Sequence, residues 1–336
     1  GDVGRPDLAV KQGKLTEKDL AGFLFDSLRN KIMTLPDDII VYPNHGAGSA
    51  CGKNMSKETF DTLGNQKATN YALRADMTKE EFIKEVTTGL VAPPQYFPNN
   101  VRMNKSINTS IDEVLHKGTT SLDASTFKNM SEQKDILVID TRSKESYINE
   151  GTVPGSWYIG IDGNFAPWVG AIISDINQKI IFIADDELRV NEIVTRFSRV
   201  GYDQTLGYLN GGLTNWKAKG FDVDYIGSIS ADKFTNMLAQ GSVEKPIDVR
   251  RESEYLSEHV LGVANFPLDF IHTNFAEIDP KKEYFLHCKT GYRSLIASSI
   301  FKAKGVKKVT DIRGGYKAIK ETKAILSNFV CPTTIL

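Results

Sequence analysis

Hydrophobic positions along the chain fall into two patterns, helical spacing and short continuous runs. Glu17 to Lys31 places Leu20, Phe23, Leu24 and Leu28 on one face and predicts an amphipathic helix, followed by a strand at Ile39-Ile-Val-Tyr42. Gly64 to Leu73 and Thr78 to Thr88 predict two more helices, with Gly89 as the stop. Pro93-Pro94 and Pro98-Asn-Asn100 mark the way out of a first domain, taken as residues 1–103. Met103 to Lys117 reads as a linker containing a short helix.

Beyond the linker one pattern occurs twice. Ile136-Leu-Val-Ile-Asp-Thr-Arg-Ser143 and Pro246-Ile-Asp-Val-Arg-Arg251 are apolar strands ending in Asp-x-Arg, each followed at the same offset by an aromatic, Tyr147 and Tyr255. Asn210-Gly-Gly-Leu-Thr-Asn-Trp216 and Arg313-Gly-Gly-Tyr-Lys-Ala318 form a second matched pair, so the repeat is roughly 105 residues long. Strands alternate with helical patterns, which predicts an α/β fold in which each copy is a mostly parallel sheet covered by helices on both faces. The copies are placed at 118–224 and 227–330.

With 336 residues the chain is too long for one ordinary domain and suits two or three. Its formal net charge is −1 and charges of both signs are interspersed, which gives no basis for a nucleic-acid or membrane partner. Three irregularly spaced cysteines argue against a disulfide scaffold and for a reducing compartment. No apolar run approaches a membrane span and no signal peptide is recognisable, so a cytoplasmic protein is expected.

Candidate chemistry centres on Phe285-Leu-His-Cys-Lys-Thr-Gly-Tyr-Arg-Ser294. Glu283 to Leu286 predicts a short buried strand; Ser294 to Ala303 carries Leu295, Ile296 and Ile300 at helical spacing and stops at Gly305. A loop between a strand and a helix N-terminus turns successive backbone N–H groups inward, cradles an anion and favours the ionised form of a thiol at its start. Cys288 is therefore the candidate nucleophile. The alternative, a structural cysteine buried at a strand end, does not explain Gly291 and Arg293 at this spacing.

The loop resembles the active-site loop of rhodanese-type sulfurtransferases over about a hundred residues. The resemblance implies that Cys288 carries a sulfane sulfur as a persulfide, and that Lys289, Thr290, Gly291, Tyr292 and Arg293 hold an anionic substrate with backbone N–H groups and positive charge. Cys288 to Arg293 is six residues, the sulfurtransferase length, whereas related phosphatases use one more. Both copies resemble rhodanese domains, and Asp248, Arg250 and His259 are expected to brace loops. Aligning Ile181-Phe-Ile-Ala-Asp185 with Tyr284-Phe-Leu-His-Cys288 puts Asp185 at the place of the nucleophile and Asp186-Glu187 after it. A carboxylate there cannot carry sulfur, so the first copy is expected to be catalytically silent, with a spacing or docking role. Trp157, Phe165 and Trp168 are assigned to its core or to packing between domains. Cys331 has no motif around it.

The N-terminal region resembles the C-terminal part of a metallo-β-lactamase-fold domain (αββα) of the persulfide dioxygenase type, on Gly1-Asp-Val-Gly-Arg-Pro-Asp-Leu8, Tyr42-Pro-Asn-His-Gly-Ala-Gly-Ser-Ala-Cys-Gly52 and Thr62 to Asn70. The resemblance implies a non-haem Fe(II) in a complete domain, with His45 beside the metal and Arg5 contacting the carboxylate of a thiol substrate. Asp2 is not assigned as a ligand, and His45 alone makes no site; a hydrogen-bonded surface histidine is its alternative. Cys51 is either a sulfur acceptor or a small buried residue. The chain opens in mid-motif without methionine, and an upstream segment is expected. Together these readings imply a sulfide-detoxifying persulfide dioxygenase joined to a sulfurtransferase that makes thiosulfate from persulfide and sulfite, with small-molecule substrates and a homo-oligomeric state. A phosphatase or arsenate reductase at the same cysteine, or a regulator that senses sulfur through Cys288, are the rivals.

Overall fold

A computed structural model describes residues 3–6, 15–44, 58–88, 96–106 and 109–330. The chain divides into two compact units, Gly1–Ser106 and Ile107–Leu336.

In the first unit an α-helix over Glu17–Ser27 begins at a capping box between Thr16 and Asp19 and widens into a π-helical turn, Leu28–Ile32. Ala21, Leu24, Phe25 and Leu28 are the residues that pack with Ala72, Met77, Phe82 and Val86, while Phe23 is 56 % exposed. The sequence expectation of Phe23 on the buried face is thus corrected by a rotation toward Phe25, whose ring meets Phe82 edge-on at 5.4 Å. The i, i+3, i+4, i+7 spacing holds for the new face. Strand β1 (Ile40–Val41) pairs antiparallel with β2 (Asp61–Thr62). Helices follow over Leu63–Thr69 and Lys79–Thr87, the latter opened by a second capping box, Thr78 with Glu81.

The second unit holds the two repeats. Strands β3 (Ser121–Leu122), β4 (Ile136–Asp140), β5 (Trp157–Tyr158), β6 (Lys179–Ile183) and β7 (Thr205–Leu209) form a sheet ordered β3-β7-β6-β4-β5. Strands β8 (Gly227–Ile229), β9 (Lys245–Asp248), β10 (Ala264–Asn265), β11 (Glu283–His287) and β12 (Lys308–Ile312) form the other, ordered β8-β12-β11-β9-β10. All pairings in both sheets are parallel, and the two orders correspond strand for strand. The α/β class and the internal repeat are as the sequence implied. The central strands β6 and β11 are buried on both faces, which is why they read as continuous apolar runs.

Candidate active site

The loop leaves the carboxyl end of the central strand β11, where open parallel sheets place their ligands. Cys288 is 1 % exposed, and its Sγ accepts the Gly291 N–H at 3.2 Å. Gly291 has φ +103°, a conformation that suits glycine, and it turns the chain directly into the helix Tyr292–Ala303. The helix starts two residues before the apolar spacing suggested, because that glycine does the work of a cap. From below, the N–H of Tyr316 donates to the Cys288 carbonyl at 2.6 Å and that of Lys317 to the Lys289 carbonyl at 3.0 Å. Gly315 permits this contact: a Cβ there would stand 2.4 Å from the Cys288 carbonyl oxygen. The Gly-Gly repeat signature is therefore a seat for the Cys288 loop.

Arg293 grips Glu254 with both guanidinium arms, at 2.5 and 3.0 Å. Burial pushes the Glu254 carboxyl up, but the hydrogen bonds and charge of Arg293 outweigh it and hold the group below the usual carboxylate range. Asp248 and Arg250 form a buried ion pair, and Arg250 Nη2 also donates to the Glu258 carbonyl at 2.8 Å. Asp140 and Arg142 repeat the strut in the first copy, with the Gly151 carbonyl as the corresponding acceptor. His259 stacks on Tyr255 with ring centroids 3.8 Å apart and binds its carbonyl. His287 is fully buried beside Asp248, and burial lowers its pKa.

Two residues of the site were not singled out from the sequence. Ser294 Oγ lies 3.7 Å from Cys288 Sγ and 2.5 Å from Asp311 Oδ1. Asp311 is buried at the end of β12, and burial raises its carboxyl to about 7 against the opposing pull of Ser294 and Lys144. The signal available was an aspartate one residue from the end of β12, three residues before the Gly-Gly pair.

The first copy closes one side of the site. A cleft of about 270 Å³ is lined by Thr290, Gly291, Leu295 and Asp311 and walled by Lys144 and Ile148 of the helix Lys144–Glu150. Lys289 and Thr290 are exposed. Tyr292 serves a purpose the sequence did not show: its hydroxyl donates to the Gly160 carbonyl at 2.7 Å, and its ring lies against Tyr158 and over Gly163. The Tyr158 N–H, on the edge strand β5, donates to Ser299 Oγ at 2.9 Å. Trp157 packs on the His272 ring, whereas Phe165 and Trp168 lie in the first copy's core.

The register of the sheets corrects the alignment of the two loops. Ile183 pairs with Asp140 as His287 pairs with Asp248, and the N–H of Thr141 and of Val249 donate to the Ile183 and His287 carbonyls. Ala184, not Asp185, therefore occupies the place of Cys288. Matching apolar runs shifted the alignment by one, because a buried histidine in the second copy stands where the first has isoleucine. The first copy has a methyl group where the nucleophile would be. Asp185 instead accepts the Ser143 N–H at 2.6 Å, and Glu187 accepts the Gly211 N–H at 3.0 Å.

In the first unit Arg5 is half-buried. His45, Cys51 and Asp2 lie outside the described residues, as does Cys331. Among the described residues there is no group of three or more His, Cys, Asp or Glu side chains that could hold a metal ion. No helix among them is long and apolar enough to cross a membrane.

Twin parallel five-stranded sheets, one with a cysteine on a loop seated against a Gly-Gly turn, define the class. The rhodanese-like domain profile matches residues 123–219 and 230–322, and the chain belongs to that family. Curated relatives include the uncharacterised protein YqhL of Bacillus subtilis (strain 168), 32% identical over 71 residues, 21% of this chain and 56% of that protein. The putative sulfur carrier protein YrkF of the same strain is 29% identical over 92 residues, 27% of this chain and 50% of that one. The chain thus spans about half the length of the curated relatives it matches. Among solved structures, a metallo-beta-lactamase from Staphylococcus aureus subsp. aureus COL is 28% identical, with a TM-score of 0.45 over 58% of this chain and 52% of that one.

Proposed function

We propose that the second copy is a sulfurtransferase that carries sulfane sulfur on Cys288. In the first half-reaction the Cys288 thiolate attacks the outer sulfur of a polarised S–S bond, that bond breaks, and sulfite or a thiolate leaves with the electron pair. In the second, a thiophilic acceptor attacks the Cys288 persulfide; with sulfite, the products are thiosulfate and the regenerated thiolate. The observation that carries this reading is the Gly291 N–H on Cys288 Sγ at the head of a buried helix, in a loop of six residues. The same amides stabilise negative charge as it moves between sulfurs.

Replacing Cys288 by Ser should abolish transfer from thiosulfate to cyanide while leaving unfolding unchanged. A serine variant that still makes thiocyanate at the wild-type rate would refute the assignment. The persulfide dioxygenase activity suggested by the N-terminal motifs is a separate proposal. No step is derived through iron, and metal analysis with persulfide-dependent oxygen uptake decides that half independently.

A further inference from the structure

Ser294 has one hydroxyl proton and three acceptors around it. Asp311 Oδ1 is at 2.5 Å, the Gly291 carbonyl at 3.2 Å and Cys288 Sγ at 3.7 Å. Ser294 and Asp311 are at most 1 % exposed, as is Cys288. Water therefore does not settle the competition. An ionised Asp311 takes the Ser294 proton, since a carboxylate accepts and never donates. A protonated Asp311 donates to Ser294 Oγ and frees the serine proton for another acceptor.

We propose that Asp311 is a positioning residue for sulfur transfer, acting through Ser294: its proton decides whether the serine hydroxyl is given to the sulfur of Cys288 or withheld from it. This rests on the reading of Cys288 as the sulfur carrier and deepens it. The sulfur of Cys288 alternates between a bare thiolate and a persulfide, and a donor that can be turned toward it or away from it biases the balance between the two. No bond other than O–H is made or broken: Asp311 loses its proton to solvent as pH rises, and the Ser294 proton swings to the carboxylate.

The groups facing Asp311 are few. The neighbouring positions on the flanking strands are Leu286 on β11 and Ser228 on β8, both uncharged. The helix behind it offers Ser294 and Leu295. Across the cleft, Lys144 favours the ionised form, and Glu145 and Arg313 line the same cleft. Arg293 is engaged with Glu254. Burial therefore sets the balance, and Lys144 trims it.

The test is the rate of Cys288 alkylation by iodoacetamide between pH 5 and 9, on the full chain and without any sulfur donor. Wild type should show an inflection near pH 7 in addition to the titration of the thiol itself. Asp311→Asn, whose amide donates to Ser294 permanently, should lose that inflection. Ser294→Ala should lose it too and react roughly three- to tenfold more slowly at pH 6, the effect of one hydrogen bond to a charged sulfur after its partial offset by nucleophilicity. An Asp311→Asn profile superimposable on wild type overturns the proposal, as does an inflection that survives in Ser294→Ala. If Asp311→Asn does not fold, the Ser294→Ala profile decides alone. Alkylation needs no sulfur transfer, so this test and the cyanide assay fail separately.

Discussion

Gly315 and Gly212 occupy the same place in the two repeats, and replacing each by alanine separates backbone strain from interference with the active loop. Both have positive φ, +58° and +54°. Left-handed backbone at a residue with a Cβ costs about 1–2 kcal/mol in either copy. The difference lies above them. A Cβ on Gly212 would rest 3.4 Å from the Ala184 carbonyl oxygen, an ordinary contact. On Gly315 it would stand 2.4 Å from the Cys288 carbonyl oxygen and 2.9 Å from both Lys289 C and Thr290 N. These are backbone atoms of the loop itself, so relief requires the loop to move by several tenths of an ångström. Overpacking of this kind adds about 1–3 kcal/mol. Misplacing reacting groups by about 1 Å costs on the order of a hundredfold in rate. Gly315→Ala should therefore lose about 2–5 kcal/mol by urea unfolding and roughly ten- to a hundredfold in thiosulfate:cyanide transfer. Gly212→Ala should lose only about 1–2 kcal/mol and keep full turnover. Equal destabilisation of the two variants, with normal turnover in Gly315→Ala, would refute the idea that the Gly-Gly turn seats the catalytic loop.

Two further outcomes follow from the charges. Glu254 titrates below its unfolded value, so its pairing with Arg293 contributes stability that is present above a pH of about 4.3 and is lost as pH falls through the folded value. Glu254→Gln should cost about 1–3 kcal/mol at pH 7 and progressively less as the pH falls through the folded value; a cost independent of pH would contradict the pairing. In a Cys288→Ser background, Ala184→Cys should create no cyanide-dependent sulfur transfer, because the loop that follows holds Asp185, Asp186 and Glu187, with Glu187 bonded to the Gly211 N–H. Thiocyanate production above the Cys288→Ser background would show that a thiol in either loop suffices.

What the sequence disclosed was what local chemistry enforces. Asp-x-Arg at a strand end is a strut between neighbours two residues apart, and Gly-Gly marks a turn that needs positive φ twice, so both were visible as repeats. The six-residue loop was visible because glycine and arginine at fixed offsets have no role in apolar packing. The losses came where distant partners choose. Phe25 rather than Phe23 faces the first unit's core because Phe82 and Ala72 lie on that side, 47 or more positions away in the chain. Asp185 displaced Ala184 in the alignment because hydrophobicity cannot anticipate a histidine buried at 0 % exposure. Asp311 escaped notice for the same reason, and the bond from the Tyr292 hydroxyl to the Gly160 carbonyl of the other repeat was equally hidden.

The packing role of the first copy follows from the same contacts. The helix after Cys288 carries Ser294, Leu295, Ile296, Ala297, Ser298, Ser299, Ile300 and Phe301 buried in succession, so it is enclosed all round. A helix in a lone sheet–helix layer keeps one polar face in water; this one meets its own sheet on one side and β5 of the first copy on another. The edge strand gains in turn, since the exposed N–H of an edge invites foreign pairing and that of Tyr158 is taken by Ser299. Tyr292 fixes the first turn of the helix to Gly160, one residue from the glycine that turns the loop, and Lys144 overlooks the carboxyl behind the thiol. Ala184 stands at the register position of Cys288, yet Tyr158, Gly160 and Lys144 of the same copy still close the neighbouring site.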